Sequence, residues 1–366
     1  MLKYLYLQNF RNYEQLELKP DKGFLILTGD NGTGKSNLLE SIFYLGTGYS
    51  FRQVKDDNLL RFGADHFIIR GIVDNNGIDY NIEVTYRKDK HKKTIKINNK
   101  SALPGSCASY LPVVIFSPLD LILVKGGPAG RRRFLDQVVG QLRPQHNKDL
   151  HYYNNVIMQR NKQLRTEKKS DEHLLPWDQQ LVSVGSIIWK RRVTVLSQLL
   201  YYSKGVINSL SRGRELEGRY KSQICDIEKD DDLDKYKFLF SEAVKKARPY
   251  DRRVGFTTVG PHRDDFELYL NKREGRLYAS QGEQRLISLA LKIGQYYLLS
   301  QQDYLEPLLL LDDVFSELDA KHKLFVLEGM KKGSQVIATT TTPFKDGVVE
   351  KKFLTDDIIM VYRKNF

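Results

Sequence analysis

Cysteine is scarce in this chain, which has only Cys107 and Cys225 among its 366 residues. Two cysteines provide neither a disulfide framework nor a Cys-x-x-Cys metal pair. The seven histidines are scattered, and no cysteine or carboxylate pattern completes a site around the closest pair, His146 and His151. We therefore expect no structural metal site, and we expect a reducing, cytoplasmic setting.

Long apolar runs are also missing. The stretch from Leu308 to Leu311 is bounded by Pro307 and Asp312, and no segment approaches the roughly 18 apolar residues of a membrane span. The first residues, Met1 to Gln15, lack the apolar core of a signal peptide. No Ser-His-Asp or Cys-His signature appears in a recognisable context. The sequence thus predicts no membrane partner.

Acidic residues are outnumbered, because 45 Asp and Glu stand against 58 Lys and Arg and leave a formal net charge of +13. Hydrophobic residues make up 41% of the chain, so an ordinary globular core can form. The basic excess favours a polyanionic partner, since each phosphate neutralised by Lys or Arg releases a bound counterion. A soluble basic protein without such a partner is the alternative that charge alone leaves open.

The first third of the chain is predicted to hold strands and one early helix. Phe24 to Leu27 is a continuous apolar run, typical of a strand buried on both faces. Ser36 to Leu45 has helical spacing, and Ile68 to Ile97 alternates as hairpin strands do. The charged segment from Arg87 to Lys93 is the predicted tip of a hairpin.

The middle of the chain, residues 120–255, is predicted to be a mostly helical insertion. Trp177, Leu181, Val184 and Ile188 recur at helical spacing there, and heptads are not sustained, so no long coiled-coil arm is expected. Strand patterns return in the last third, at Leu308 to Leu311, Gln335 to Ala338 and Ile358 to Tyr362. The pattern as a whole predicts an α/β fold with an inserted second domain.

A phosphate-binding loop follows the first buried strand. Its residues fit G-x-x-x-x-G-K-[ST] and are Gly29, Asp30, Asn31, Gly32, Thr33, Gly34, Lys35 and Ser36. The glycines let backbone N–H groups point at phosphate oxygens. Lys35 can reach the β- and γ-phosphates, and Ser36 can ligate Mg²⁺. A loop between a predicted strand and a predicted helix is the context in which this pattern indicates ATP binding.

Two acids end a second buried strand, Leu308 to Leu311. A parallel strand delivers Asp312 and Asp313 to its carboxyl end, beside the phosphate loop. There Asp312 is suited to hold Mg²⁺ and Asp313 to orient or activate an attacking water. Solvated acids at a strand end are the alternative.

A second phosphate-binding helix start is predicted from Ala279 to Arg285. Ser280 can cap the helix that follows, and Gly282 permits close backbone approach. A plain helix cap is the alternative. After the acidic strand, the segment from Ser316 to Asp319 forms a polar turn.

Together these motifs resemble the ABC-type P-loop ATPase heads that include the SMC proteins and RecF. The resemblance implies a signature motif, a D-loop and a homodimer that forms when ATP binds. In such a dimer the signature motif of one subunit binds the γ-phosphate of the ATP held by the other subunit. It assigns the signature to Ser280, Gln281, Gly282 and Glu283, the D-loop to Ser316 and Asp319, and further nucleotide contacts to Arg11 and Asn37. The head would comprise residues 1–119 and 256–366, with 120–255 inserted.

Within this class the sequence is similar to the RecF family over nearly its full length. The motifs that carry the match are Asn9 to Tyr13, Ser50 to Arg52, Phe116 to Asp120, Gly126 to Asp136, and Val259 to Asp265. The resemblance implies a recombination mediator that recognises gapped DNA and works with RecR and RecO to load RecA. Leu119 departs from the Glu common in RecF, and no γ-phosphate-sensing His stands near Thr339.

Three other functions share parts of this pattern: a transporter ATP-binding subunit, an SMC-like structural clamp and an ATP-dependent nuclease. The net charge of +13 and the presence of Asp313 argue against the transporter subunit. The missing heptads argue against the structural clamp, and the lack of an extra acidic cluster argues against the nuclease. Candidate contacts to duplex or gapped DNA are Lys88, Lys90, Lys92 and Lys93 on the hairpin, with Arg52 suggested by the family. A solvated loop is the alternative for the lysines.

Overall fold

The computed structural model describes residues 1–20, 23–103, 105–166, 171–211, 213–224, 232–301, 306–313, 334–340 and 361–363. Its strands are β1 (Leu2–Phe10), β2 (Tyr13–Leu18), β3 (Phe24–Thr28), β4 (His66–Asn75), β5 (Ile78–Arg87), β6 (Lys92–Ile97), β7 (Lys100–Ala102), β8 (Val113–Phe116), β9 (Leu216–Lys221), β10 (Asp265–Leu270), β11 (Arg273–Glu274), β12 (Leu308–Asp312), β13 (Val336–Thr340) and β14 (Val361–Arg363). Its helices are α1 (Lys35–Thr47), α2 (Ile122–Lys125), α3 (Pro128–Leu142), α4 (Gln145–Leu164), α5 (Leu175–Leu210), α6 (Leu233–Val254), α7 (Gly275–Tyr278) and α8 (Gln281–Ser300).

The chain separates into two compact units. The first comprises Met1–Asp120, Ser209–Arg212 and Lys292–Phe366, and the second Leu121–Asn208 and Gly213–Leu291. The return to the first unit therefore lies at 292 rather than at the predicted 256. The cause is β10, which pairs along its whole length with β9 and so ties the segment after 255 to the inserted region.

Two sheets build the first unit. One is antiparallel, with the order β2-β1-β4-β5-β6-β7, and the other is parallel, with the order β14-β3-β13-β12-β8. Burial alternates along β4 and β5, as in a sheet with one solvated face, whereas β3, β8, β12 and β13 are buried nearly throughout. This difference explains why the sequence alternates along β4 and β5 but shows continuous apolar runs at β3, β8 and β12.

Helix α1 forms the centre of this unit. Every residue from Leu38 to Thr47 is buried, and the helix packs against strands of both sheets. It begins after Gly34 and ends at Gly48, which has φ +81° and donates its N–H to the Tyr44 carbonyl. The phosphate loop is thus attached to a helix that is buried through most of its length.

The second unit contains α3 to α6 and a three-stranded antiparallel sheet of order β11-β10-β9. The predicted helical insertion therefore also carries a small sheet. Its interior includes charged groups: Arg192 pairs with Asp136 at 2.7 Å, and Arg160 pairs with Asp251 at 2.7 Å. No helix within the described ranges has the length and apolar character needed to cross a membrane.

Candidate nucleotide-binding site

Three glycines shape the turn of the phosphate loop. Gly29, Gly32 and Gly34 have φ values of +154°, +85° and +101°, which L-residues with side chains rarely adopt. At Gly34 a side chain would also collide with the β1–β2 turn, since an added Cβ would lie 2.5 Å from Asn12 Nδ2. The glycine spacing noted in the sequence is therefore required by the backbone here.

Lys35 lies with its ammonium group inside the loop. Its Nζ donates to the Gly29 carbonyl at 2.6 Å and to the Asp30 carbonyl at 2.8 Å. Thr33 stabilises the same turn, because its hydroxyl donates to the Asp30 carbonyl at 2.9 Å, while Asn31 and Gly32 are exposed at the tip. Two backbone carbonyls therefore hold the Lys35 cation within the glycine-rich loop, where a lysine is a phosphate-binding group.

The parallel sheet brings the predicted acidic strand to the loop. Strand β13 lies between β3 and β12, with Thr340 opposite Thr28 and Thr339 opposite Asp312. The Ser36 hydroxyl donates to Asp312 Oδ1 at 2.6 Å although the two residues are 276 positions apart. The structure thus unites the two residues assigned to the metal by sequence.

Thr339 completes this edge of the sheet. Its hydroxyl donates to Asp312 Oδ1 at 3.0 Å and accepts the backbone N–H of Asp313, also at 3.0 Å. Asp313 has φ +51°, an unusual conformation for a residue with a side chain. In the sequence these threonines were notable only for standing where many ABC proteins have a histidine, whereas in the structure Thr339 links both acids.

The oxygen groups at this edge fit Mg²⁺. A serine hydroxyl and a carboxylate are hard ligands of the kind that Mg²⁺ takes together with waters and substrate phosphates. Within the described residues, no group of three or more His, Cys, Asp or Glu side chains is placed to hold a metal. Ser36 and Asp312 are the residues that would hold Mg²⁺ at this edge.

Glu40 organises two arginines beside the loop, and sequence analysis missed it. This fully buried carboxylate of α1 accepts from Arg11 Nε at 2.9 Å and Nη2 at 3.0 Å, and from Arg52 Nη1 at 3.3 Å. The Ser50 hydroxyl also donates to it. Arg52 further donates to Asn37 Oδ1 at 2.8 Å. A glutamate among the apolar residues of a buried helix was the available signal.

These contacts locate Arg11, Asn37 and Arg52 next to the first turns of α1. Asn37 Nδ2 donates to Asn12 Oδ1 at 2.9 Å, so the β1–β2 turn and the loop after α1 are joined through the helix. Both arginine side chains are partly exposed, 19% for Arg11 and 28% for Arg52. Two positive groups share one carboxylate, so this cluster carries excess positive charge.

An ion pair between a buried lysine and a partly buried carboxylate lies just after β8. Lys292 Nζ is 3.6 Å from Asp120 Oδ1, and Asp120 also accepts the backbone N–H of Ser117 at 2.8 Å. Burial raises the pKa of Asp120, to which the charge of Asp312 adds, and burial lowers the pKa of Lys292. The motif from Phe116 to Asp120 thus has a structural explanation that sequence analysis did not supply.

The predicted signature segment starts α8. The Ser280 hydroxyl accepts the N–H of Glu283 at 3.3 Å, and Glu283 Oε2 accepts the N–H of Ser280 at 2.8 Å, which is a capping box. The backbone hydrogen bond from Ser280 lowers the pKa of Glu283. Ser280, Gln281 and Gly282 are exposed. The D-loop residues Ser316 and Asp319 lie outside the described residues.

The DNA candidates on the β5–β6 hairpin differ from one another. Lys88, Lys90 and Lys92 are exposed, as expected of a hairpin tip. Lys93 instead turns inward, where its Nζ donates to the Gly48 carbonyl at 2.7 Å and lies 3.1 Å from Asp56 Oδ2. Contacts within the protein therefore hold the Lys93 ammonium group, because strand alternation directs Lys93 to the face opposite Lys92.

Fold and site together define an ABC-type P-loop ATPase head. The family model described as RecF/RecN/SMC N terminal domain matches residues 1–365. An SMC head domain from Pyrococcus furiosus with an extended coiled coil shares the fold, at TM-score 0.51 and 16% identity over 96% of this chain and 91% of that one.

More specific similarity is to RecF. The DNA replication and repair protein RecF of Moorella thermoacetica is 37% identical over 93% of this chain and 90% of its own length, and that of Agathobacter rectalis is 35% identical over 99% and 98%. A solved structure of the recombination mediator protein RecF-ATP in the RecFOR pathway superposes with TM-score 0.88, at 32% identity over 94% and 92% of the two chains. The chain belongs to the RecF family, which overturns the transporter alternative.

Proposed function

We propose that this protein is a cytoplasmic, Mg²⁺-dependent ATPase that closes as a homodimer on gapped DNA and promotes recombination. The observation that carries the proposal is the hydrogen-bonded set of Ser36, Asp312 and Thr339 beside the phosphate loop. This set lies at the carboxyl edge of a parallel sheet, where nucleotides bind in such folds, and it supports the assignment of Ser36 and Asp312 to the metal. When bound, Mg²⁺ would neutralise phosphate charge and polarise the phosphoryl group.

Each group of the site has a distinct task in this proposal. Lys35 and the loop N–H groups bind phosphate oxygens, Ser36 and Asp312 hold the metal, and Asp313 orients or deprotonates the attacking water. Thr339 fixes the backbone from which Asp313 projects. We expect slow hydrolysis, because the Asp313 side chain is one methylene shorter than the glutamate of transporters and no histidine stands in the described strand β13.

ATP-dependent dimerisation follows from the signature at the start of α8. Ser280 and Gly282 lie exposed at the N-terminus of a 20-residue helix, whose partial positive charge attracts phosphate. In this proposal they bind the γ-phosphate held by a second copy. The partners RecR, RecO and RecA are proposed by analogy with RecF proteins, and DNA binding is supported by the net charge of +13.

The experiment that tests the proposal is mass measurement by light scattering, with and without ATP, Mg²⁺ and gapped DNA. The wild-type protein should shift from monomer to dimer with Mg-ATP, and the dimer should retain gapped DNA. Lys35→Ala, which removes the cation of the loop, is the matched control and should remain a monomer. A wild-type protein whose mass does not change when ATP and gapped DNA are added would contradict the proposal.

A further inference from the structure

Phe62 is held out in solvent by a tight turn. Its relative exposure is 100%, which makes it the most exposed large hydrophobic side chain among the described residues. The turn is closed by a hydrogen bond from the Ala64 N–H to the Arg61 carbonyl at 3.0 Å, and Gly63 at its third position has φ +84°. Local backbone geometry therefore presents Phe62 at a corner.

The turn itself is anchored on both sides. The Arg61 N–H donates to the Asn9 carbonyl at 2.9 Å, and the Arg61 guanidinium donates to Glu14 at 3.0 Å. An isolated bridge pairs Leu60 with Phe10 in the core. The backbone that carries Phe62 is thus held by contacts on both sides, and ordering this turn on a ligand would cost little backbone entropy.

A basic hairpin lies directly beside this turn. The Lys88 N–H donates to the Asp65 carbonyl at 2.8 Å, and His66 pairs with Arg87 at the base of the β4–β5 ladder. The hairpin with the exposed residues Lys88, Lys90 and Lys92 therefore adjoins the turn with Phe62, and Asp65, which is also exposed, lies where they meet. Exposed cations next to a projecting aromatic ring match a nucleic acid, whose phosphates are anionic and whose bases stack.

We propose that Phe62 stacks on the base pair that ends a duplex at a gap, while Lys88, Lys90 and Lys92 contact the adjoining phosphates. In a continuous duplex both faces of each base pair are covered by neighbours. At a junction with single strand, the terminal pair has one open face, so an aromatic ring can stack there without the cost of unstacking. This inference rests on the DNA binding of the proposed function and names the residue that distinguishes gapped from continuous DNA.

The test compares two DNA molecules: a gapped duplex, and a continuous duplex of equal length closed by hairpin loops so that no base pair has an open face. Phe62→Ala should weaken binding to the gapped duplex by roughly 5- to 150-fold, the range for loss of one base–aromatic stack, and leave the continuous duplex unchanged. Phe62→Trp should restore the preference, because it retains a stacking face.

Salt titration separates stacking from charge. Phe62→Ala should not change the slope of log K against log salt, since no cation is lost. Replacing Lys88, Lys90 and Lys92 by glutamine should weaken binding to both DNA molecules and lower that slope by about 1 for each lysine on a phosphate. Ile78→Ala is the matched control, since Ile78 is also exposed, at 58%, at the opposite end of β5.

Two results would overturn the assignment of Phe62: a Phe62→Ala protein that keeps the wild-type preference for gapped DNA, or one that loses affinity for both molecules equally. A Phe62→Ala protein that fails to dimerise with ATP would also overturn it, by placing Phe62 between copies of the chain. If the wild-type protein binds neither DNA, the proposed function itself fails, which is a distinct outcome from failure of the variant alone.

Discussion

Alanine at Gly34 tests how closely the phosphate loop is enclosed by the β1–β2 turn. An added Cβ would lie 2.5 Å from Asn12 Nδ2 and 3.0 Å from the Tyr13 hydroxyl. Gly32 is the matched control, because it also has a positive φ, +85° against +101°, but its added Cβ would meet nothing within 4 Å. Both substitutions strain the backbone, but only Gly34→Ala also brings a methyl group against neighbouring side chains.

The expected magnitudes follow from these two terms. A left-handed conformation costs an alanine about 1–2 kcal/mol, which both variants lose. A methyl group at Gly34 adds about 1 kcal/mol, the low end for overpacking, because the exposed Asn12 side chain can shift while the buried Tyr13 hydroxyl cannot move as freely. We therefore expect a loss in the free energy of unfolding of about 1–2 kcal/mol for Gly32→Ala and about 2–3 kcal/mol for Gly34→Ala.

The assay must report on the first unit. Both tryptophans, Trp177 and Trp189, belong to the second unit, so tryptophan fluorescence in a urea series would follow the unfolding of that unit. Amide hydrogen exchange of α1 reports on the first unit instead. Combining Gly34→Ala with Asn12→Ala removes the main collision and should recover part of the lost stability. Equal losses for Gly32→Ala and Gly34→Ala, or no recovery in the double variant, would refute the steric reasoning.

Three further predictions concern the catalytic acids, the signature and a buried carboxyl group. The Asp313→Asn protein should bind Mg-ATP but hydrolyse it more slowly, so that the ATP-bound dimer lasts longer, whereas Asp312→Asn should weaken Mg-ATP binding before any dimer forms. Single-turnover hydrolysis, measured together with the lifetime of the dimer, separates the two effects. A wild-type hydrolysis rate in Asp313→Asn would remove that residue from the mechanism. Ser280→Arg should bind nucleotide as a monomer, and a dimer seen by light scattering would place the interface elsewhere. Burial raises the pKa of Asp264 from its ordinary 3.8 to about 6, so its carboxyl contributes stability that is complete below pH 3.8 and lost as the pH rises through about 6. Asp264→Asn should remove about 3 kcal/mol of pH dependence between roughly pH 4 and 6 in urea unfolding, and an unchanged pH profile would contradict that shift.

The environment of Asp264 gives this last prediction its physical basis. The side chain is 1% exposed and accepts from the Trp189 indole N–H and from the Tyr220 hydroxyl at 3.0 Å. These donors and the charge of Arg192 lower its pKa, but burial raises it by more. The motif that contains Asp264 therefore belongs to the interior of the second unit.

The sequence by itself determined the features that depend on neighbouring residues. A phosphate loop is shaped by glycines within eight consecutive positions, and the capping box of α8 needs only Ser280 and Glu283. Buried parallel strands are likewise visible as short apolar runs, so the strand containing Asp312 was predicted together with its place beside the loop. Local chemistry and periodicity were sufficient for these elements.

Only the tertiary structure decided which distant groups meet. Thr339 hydrogen-bonds to Asp312 because β13 pairs with β12. Glu40 accepts hydrogen bonds from both Arg11 and Arg52 because α1 lies between a turn and a loop that are separate in sequence. Because β9 pairs with β10, the boundary between the units lies later in the chain than the sequence predicted. Such contacts arise from strand order and helix packing, which depend on the burial of the whole core, and no residue pattern within one segment specifies them.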